Sequence, residues 1–403
     1  MQRKSNRRQG PSTRAIHLGY DPATANGALT PPVYMTSTYA FESVEQGTEI
    51  FEGKREGYIY GRTKNPTQGL LEERVADLEG AEAGLVVSSG MGAISATLWT
   101  LLKAGDRVVA DKILYGNTFA LLTKGLTKFG VSVELVDFGD LQAVARAAAG
   151  ARVVYFETPA NPNLRVIDIA AVTGIARRAG ALSIVDNTFA TPILQRPLEL
   201  GADLVVHSAT KYLGGHGDLL AGVVVGKAAD IHAIRMNGLR YLTGAAVSPL
   251  TAFLVLRGLK TLELRVLQHS RSALAIAELL AEHPGIASLS YPGLPGSPGH
   301  AVAKGQMSAG GGLIAFELKG GYQAGVAFMN ALEIASRAVS LGDAETLVQH
   351  PASMTHAAYG AEERLRHGIS DSLIRLSVGL ENIEDLIDDI EAALSAVPSE
   401  VAR

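Results

Sequence analysis

The chain has 403 residues, 47% of them hydrophobic and 19% charged, which excludes wholesale disorder, and at about 150 residues per domain predicts two or three domains. It has no cysteine, which excludes disulfides, thiolate metal sites, iron–sulfur clusters and cysteine nucleophiles and fits a reducing, cytoplasmic setting. A formal charge of −4 argues against nucleic acid as the main partner.

At the N-terminus, Arg3, Lys4, Arg7 and Arg8 are followed by the polar run Gln9-Gly10-Pro11-Ser12-Thr13-Arg14. With no apolar segment behind them, they read as a basic tail rather than a signal peptide. Residues 1–63 form a Gly/Pro/Tyr-rich arm of little periodicity. Residues 64–255 carry nearly continuous apolar runs at Leu85–Ser88, Arg107–Asp111, Val131–Phe138, Arg152–Glu157, Leu182–Asp186, Asp203–Ser208 and Gly222–Gly226. Spacings of about 20 to 25 residues, with helical stretches between, predict a mostly parallel α/β sheet covered on both faces. The charge-free stretch Gly84–Leu102 is long enough to raise a membrane question. Ser88-Ser89-Gly90-Met91-Gly92 divides it into a strand, a turn and a buried helix, so no membrane partner is expected. A helical pattern then runs from Pro249 to about His283, and a Pro/Gly-rich loop spans Tyr291–Gly299. Within residues 256–403, strand-like Leu313–Leu318 and Leu373–Val378 and helical Ala324–Leu332 and Glu384–Val397 predict a smaller α+β domain. The last helix is expected to turn an acidic face to water.

The most informative segment is Asp203-Leu-Val-Val-His207-Ser208-Ala209-Thr210-Lys211, followed by Tyr212-Leu213-Gly214-Gly215-His216-Gly217. An apolar strand delivers two hydroxyls and a lysine to its carboxyl end, where ligands bind in open α/β sheets. Desolvation there lowers a lysine's pKa and frees its amine as nucleophile or base. Taken alone, Lys211 reads more readily as a surface lysine after a strand. Asp186 ends a neighbouring strand; such an aspartate is often only a turn former, but it can also face a protonated heteroaromatic nitrogen. Ser89-Gly90-Met91 opens a helix whose N–H groups form an anion site. Gly90-Met91-Gly92, with Asp111 ending the next strand, also resembles a dinucleotide fingerprint. That rival lacks the third glycine, since Ser95 stands there, and gives Lys211 no task. Together Gly90, Met91, Asp186, Ser208, Thr210 and Lys211 meet the three demands of pyridoxal 5′-phosphate: phosphate donors, an anion for the ring nitrogen and an amine for the aldehyde. Ten histidines without a ligand pair at helical spacing predict no metal site.

These segments resemble the Cys/Met-metabolism pyridoxal-phosphate enzymes over nearly the whole chain. The resemblance includes Tyr60-Gly-Arg62-Thr-Lys-Asn65-Pro66-Thr67, Glu157-Thr-Pro159-Ala-Asn161-Pro162, Ser340-Leu-Gly-Asp-Ala-Glu345, His350–His356 and Arg375–Glu381. Within the family, 338–345 and 350–356 look most like the methionine γ-lyase branch. The resemblance implies the aspartate aminotransferase-like fold, type I, and a pyridoxal 5′-phosphate cofactor. It implies Lys211 as the cofactor-binding lysine and proton carrier, Asp186 against the ring nitrogen, and Asn161 on the ring oxygen. Tyr115 would stack on the ring and act as acid toward the leaving group. Arg375, supported by Ser340, would clamp the substrate carboxylate. Tyr60 and Arg62 would reach a neighbouring subunit's phosphate, so a homo-oligomer, a dimer of dimers, is implied.

Asn117 stands where the γ-lyases commonly carry cysteine, and Arg240-Tyr241 where they carry Lys-Asp. Val339 is apolar where cystathionine γ-lyases tend to place glutamate, which suits a methylthio group. The implied reaction is α,γ-elimination of L-methionine or a homocysteine-like small sulfur amino acid. γ-Replacement on O-acyl-homoserine and cystathionine γ-lysis are the alternatives within the same scaffold.

Overall fold

All seven apolar runs between residues 85 and 226 become strands of one sheet: β1 (Ala83–Val87), β2 (Arg107–Asp111), β3 (Ser132–Val136), β4 (Val153–Glu157), β5 (Leu182–Asp186), β6 (Leu204–Ser208) and β7 (Gly222–Gly226). The computed structural model describes residues 9–354, 362, 364 and 368–397. The basic residues of the tail, and Thr355-His356 at the end of the His350–His356 segment, lie outside the described residues.

The strand order is β1-β7-β6-β5-β4-β2-β3. Strands β2 to β6 pair in parallel, whereas β7 runs antiparallel to both β1 and β6. Alternate residues enter two different cores: Val154, Val185 and Val205 on one face, Tyr155, Ile184 and Val206 on the other. That double burial explains the uninterrupted apolar runs. The parallel register places Glu157 opposite Asp186. Both Val87 and Ser208 sit opposite Gly222, so the ends of β1 and β6 flank the start of β7.

A second sheet has the order β10-β11-β12-β9-β8. Strands β9 (Leu313–Leu318) and β12 (Leu373–Ser377) match the expectation. Strands β8 (Ile286–Ser290), β10 (Ser336–Arg337) and β11 (Leu347–Gln349) were not legible: β8 buries none of its residues fully, and β10 and β11 have only two and three residues. The helical pattern after Pro249 is two helices, Pro249–Leu259 and Leu262–Glu282. They part where Gly258 lies against the turn after Lys211; a Cβ on Gly258 would stand 2.4 Å from the Gly214 carbonyl oxygen. The longer helix supplies Ala273, Ile276, Ala277 and Leu280 to the core beneath the second sheet.

The helix Ile383–Ser395 turns Glu384, Asp385, Asp388 and Glu391 to water as expected, but Leu386, Ile390 and Leu394 are buried, and the buried Asp389 carboxylate accepts the N–H groups of Glu333, Ile334 and Ala335. Hydrophobic periodicity on one side outweighs the acidic composition. The arm also contains two short helices, Pro11–His17 and Val44–Phe51. The first is tied down by Arg74, which donates to the Ala15 and Leu18 carbonyls at 2.9 Å each. No helix among the described residues is long and apolar enough to cross a membrane.

Candidate active site

The crevice at the strand ends begins with a backbone cradle. Ser89 caps the helix Gly90–Leu101, its hydroxyl accepting the Gly92 N–H at 3.0 Å. The first N–H groups of a helix have no partner within it, and the helix dipole favours an anion there. Ser208 lies beside this terminus; a Cβ on Gly90 would come within 2.8 Å of the Ser208 Cβ. A Cβ on Gly222 would stand only 2.0 Å from the Ser89 carbonyl oxygen. Glycine at both positions is therefore what allows strand, turn and helix to close together. The Thr210 hydroxyl is engaged with Ala221, donating to its carbonyl at 3.3 Å and accepting its N–H at 3.1 Å. It fastens the lysine turn to the residue before β7.

Asp186 ends β5 inside the protein. Its carboxylate accepts the Thr188 N–H at 3.0 Å and the Thr188 hydroxyl at 2.5 Å, with the Tyr155 hydroxyl at 3.5 Å. Burial raises its pKa, and the Thr188 hydrogen bonds only partly offset this. Glu157, its register neighbour, is pushed well above the usual carboxylate range by burial and by the Asp186 charge. It accepts the Tyr115 N–H at 2.9 and 3.0 Å and so fixes the start of the Gly116–Ala120 helix. On the opposite face of β6, His207 Nε2 lies 2.6 Å from Glu79 Oε1, both residues buried.

Lys211 reaches toward the second sheet. Its Nζ donates to the Ser340 hydroxyl at 2.7 Å. Burial pushes its pKa down; attraction to Asp343 opposes this and the Arg375 charge adds to it. Arg375, on β12, donates to the Asn161 side-chain oxygen at 2.9 Å and to the Ser340 carbonyl at 2.7 Å. Burial lowers its pKa to about 10. Ser340, held at a φ of 98°, thus serves lysine and arginine at once, through its hydroxyl and its carbonyl.

The structure brings Lys211, Ser340, Arg375 and Asn161 into one hydrogen-bonded chain, and Ser89, Gly90 and Ser208 into one cradle. Tyr115 is 42% exposed, and its hydroxyl accepts the Asn117 amide N–H at 2.8 Å. Met91 follows Gly90 at the same helix start, and its sulfur faces the Thr118 hydroxyl at 4.0 Å. Val339 is exposed. Tyr60 and Arg62 are exposed too; the guanidinium lies 5.6 Å from the tyrosine ring, and among the described residues neither contacts Lys211, Asp186 or Ser208. Sequence reasoning passed over Tyr155, Glu157, Thr188 and Asp343 as site residues. Thr188, in Asp186-Asn187-Thr188, carried a usable signal: a hydroxyl two residues after a strand-end aspartate commonly bonds back to it.

This donor set suits pyridoxal 5′-phosphate. Helix N–H groups and the Ser208 hydroxyl can meet a phosphate, the amine of Lys211 can meet an aldehyde, and Asp186, an acid raised by burial, calls for a cation such as a protonated ring nitrogen. Comparison with known proteins agrees. Residues 12–395 match the family model described as Cys/Met metabolism PLP-dependent enzyme. An L-methionine gamma-lyase of Pseudomonas putida is 58% identical over 393 residues, covering 97% of this chain and 99% of that protein. One from Pseudomonas deceptionensis is 57% identical over 390 residues, 96% of this chain and 98% of that one. Among solved structures, cystathionine gamma synthase from Xanthomonas oryzae pv. oryzae in complex with cystathionine superposes with a TM-score of 0.92 at 42% identity, covering 98% of this chain and all of that one.

Proposed function

The chain belongs to the Cys/Met-metabolism family of pyridoxal-phosphate-dependent enzymes, and from that premise we propose that it catalyses the α,γ-elimination of L-methionine and homocysteine-like substrates. With water, methionine yields 2-oxobutanoate, ammonia and methanethiol. The observation that carries this reading is the Lys211–Ser340–Arg375 chain, which sets a desolvated amine beside a buried guanidinium. When bound, the cofactor supplies an aldehyde for amines and a ring that draws electron density from the substrate's Cα.

The protein's own residues do the rest. The helix N-terminus at Gly90-Met91, Ser89 and Ser208 would hold the phosphate, and Thr210 supports the turn from which Lys211 projects. Asp186 would supply the negative charge that a protonated ring nitrogen requires. Asn161 would bind the ring oxygen, while its side-chain oxygen accepts from Arg375 and so orients it. Arg375 takes the substrate carboxylate in two parallel hydrogen bonds, which only a planar guanidinium provides. That fixes which Cα and Cβ hydrogens face Lys211, whose amine takes a proton first from Cα and then from Cβ. Tyr115, with its hydroxyl held by Asn117, gives a proton to the departing sulfur. Val339 offers the methylthio group an apolar neighbour.

Tyr60 and Arg62 serve the phosphate of a neighbouring copy, and the enzyme works as a cytoplasmic dimer of dimers. Support comes from the arm's exposed apolar side chains, Leu29, Met35, Val44 and Phe51, an arrangement usual where another surface docks. The domains divide as an arm at 1–63, a cofactor-binding unit at 64–255 and a smaller unit at 256–403.

The test is to incubate the purified holoenzyme with L-methionine alone and measure 2-oxobutanoate and methanethiol. Both should accumulate in equal amounts. Turnover only when O-acyl-homoserine is supplied with a thiol or sulfide would instead assign γ-replacement.

A further inference from the structure

Asp343 has no part in the chemistry above, yet it is buried, and its Oδ1 has no hydrogen-bond partner. It lies on the Ser340–Glu345 segment, which covers the lysine turn. A Cβ on Gly342 would stand 2.8 Å from the Tyr212 backbone nitrogen. One on Gly217, at the far end of that turn, would lie 3.5 Å from the Asp343 carboxyl carbon. Three residues earlier on the same segment, the Ser340 hydroxyl holds Lys211 Nζ at 2.7 Å. The carboxylate is therefore folded in over the lysine turn, with Oδ1 shielded from water.

Around it, burial and the Glu345 charge on the same segment raise the Asp343 pKa, and the Lys211 charge opposes them. Arg375 faces Lys211 from β12 and opposes its charge. Arg265, from the helix Leu262–Glu282, donates to the Tyr212 carbonyl at 2.9 Å and the Gly258 carbonyl at 2.8 Å, without an acidic partner in either bond. The Tyr212 hydroxyl is buried without a partner. Asp343 is the carboxylate whose charge acts on both Lys211 and Arg265. A buried, half-bonded carboxylate beside the half-buried Lys211 and the buried Arg265 is costly unless its charge is used.

We propose that Asp343 is a positioning residue that sets the proton affinity of the Lys211 nitrogen, acting through the folded Ser340–Asp343 segment rather than by a direct ion pair. It counters burial and Arg375, which both strip the proton, so that the nitrogen keeps a proton to return after taking it from substrate. Removing this charge disfavours the cationic form, so the nitrogen's pKa must fall.

The inference rests on Lys211 being the cofactor's anchor. The experiment is a pH titration of the visible cofactor absorbance of the holoenzyme for wild type, D343N, D343S and D343E, with thermal midpoints measured alongside. The inflection should move down by about one pH unit in D343N, as expected for loss of a nearby opposite charge. The smaller D343S, which relieves any misfit of the amide, should move the same way. D343E, which keeps the charge, should restore the inflection toward wild type. A folded D343N or D343S with the wild-type inflection would overturn the inference alone and leave Asp343 as packing. If wild-type holoenzyme shows no visible band that borohydride abolishes with a pyridoxyl adduct on Lys211, the reading of the site falls first and this one with it.

Discussion

The two sides of the crevice are built in opposite ways. On the sheet side, Glu157, Asp186 and Ser208 are the last residues of three neighbouring strands: register sets Glu157 opposite Asp186, and Ser208, two residues past Asp186's partner Val206, donates its N–H to the Thr188 hydroxyl that also bonds Asp186. On the other side, Lys211 meets Ser340 across 129 residues of sequence, and Arg375 meets Asn161 across 214. The sheet side is acidic and buried, with carboxyl pKa values raised; the far side is basic and buried, with lysine and arginine pKa values lowered. Each side thus holds charge that a bound partner of opposite sign would relieve. The sheet side needs only local strand geometry, whereas the Lys211–Ser340–Arg375 side needs two sheets in correct relation.

That contrast can be broken by experiment. D186N, at the sheet side, should lower kcat/KM by roughly a thousandfold, since preorganised charge at a reacting ring is worth several kcal/mol. It should also shift the cofactor's absorbance. R375K, at the far side, should raise KM for methionine about a hundredfold, because an ammonium cannot replace the paired hydrogen bonds. The absorbance should stay unchanged. If R375K altered the spectrum as much as D186N, the two sides would not be separable. The smallest effect is expected from N117A, which removes one hydrogen bond to the Tyr115 hydroxyl. About a fivefold loss in kcat would follow from a bond worth ~1 kcal/mol, with KM nearly constant.

The sheet side is also the half that was legible in the sequence. Apolar runs ending in Asp186 and Ser208 announce strand termini, and Gly90 announces a close approach, because each signal is local. Lys211 drew attention for the same reason. Arg375 and Ser340 became site residues only through likeness to a family, since β12 reads as an ordinary buried strand. Tyr155 and Glu157 were hidden inside an apolar run, where the alternation that aims them at Asp186 depends on the strand's neighbours. Asp343 could not be read as buried, because its surroundings come from a turn, a helix and a strand far away in sequence. The break at Lys260-Thr261 was hidden likewise: the periodicity continues through it, and only the carbonyls beneath Gly258 show why the chain bends.

The contact of Gly222 with the Ser89 carbonyl bears on how such an enzyme can be diversified. Every missense change at that codon adds at least a methyl group, and even the smallest one collides with main chain rather than with a side chain that could swing aside. No compensating partner mutation is available, because the obstacle is common to all twenty residue types. Libraries aimed at new amino-acid substrates should leave that position and Gly90 untouched and spend their diversity at 117 and 339, where the neighbours are side chains or solvent.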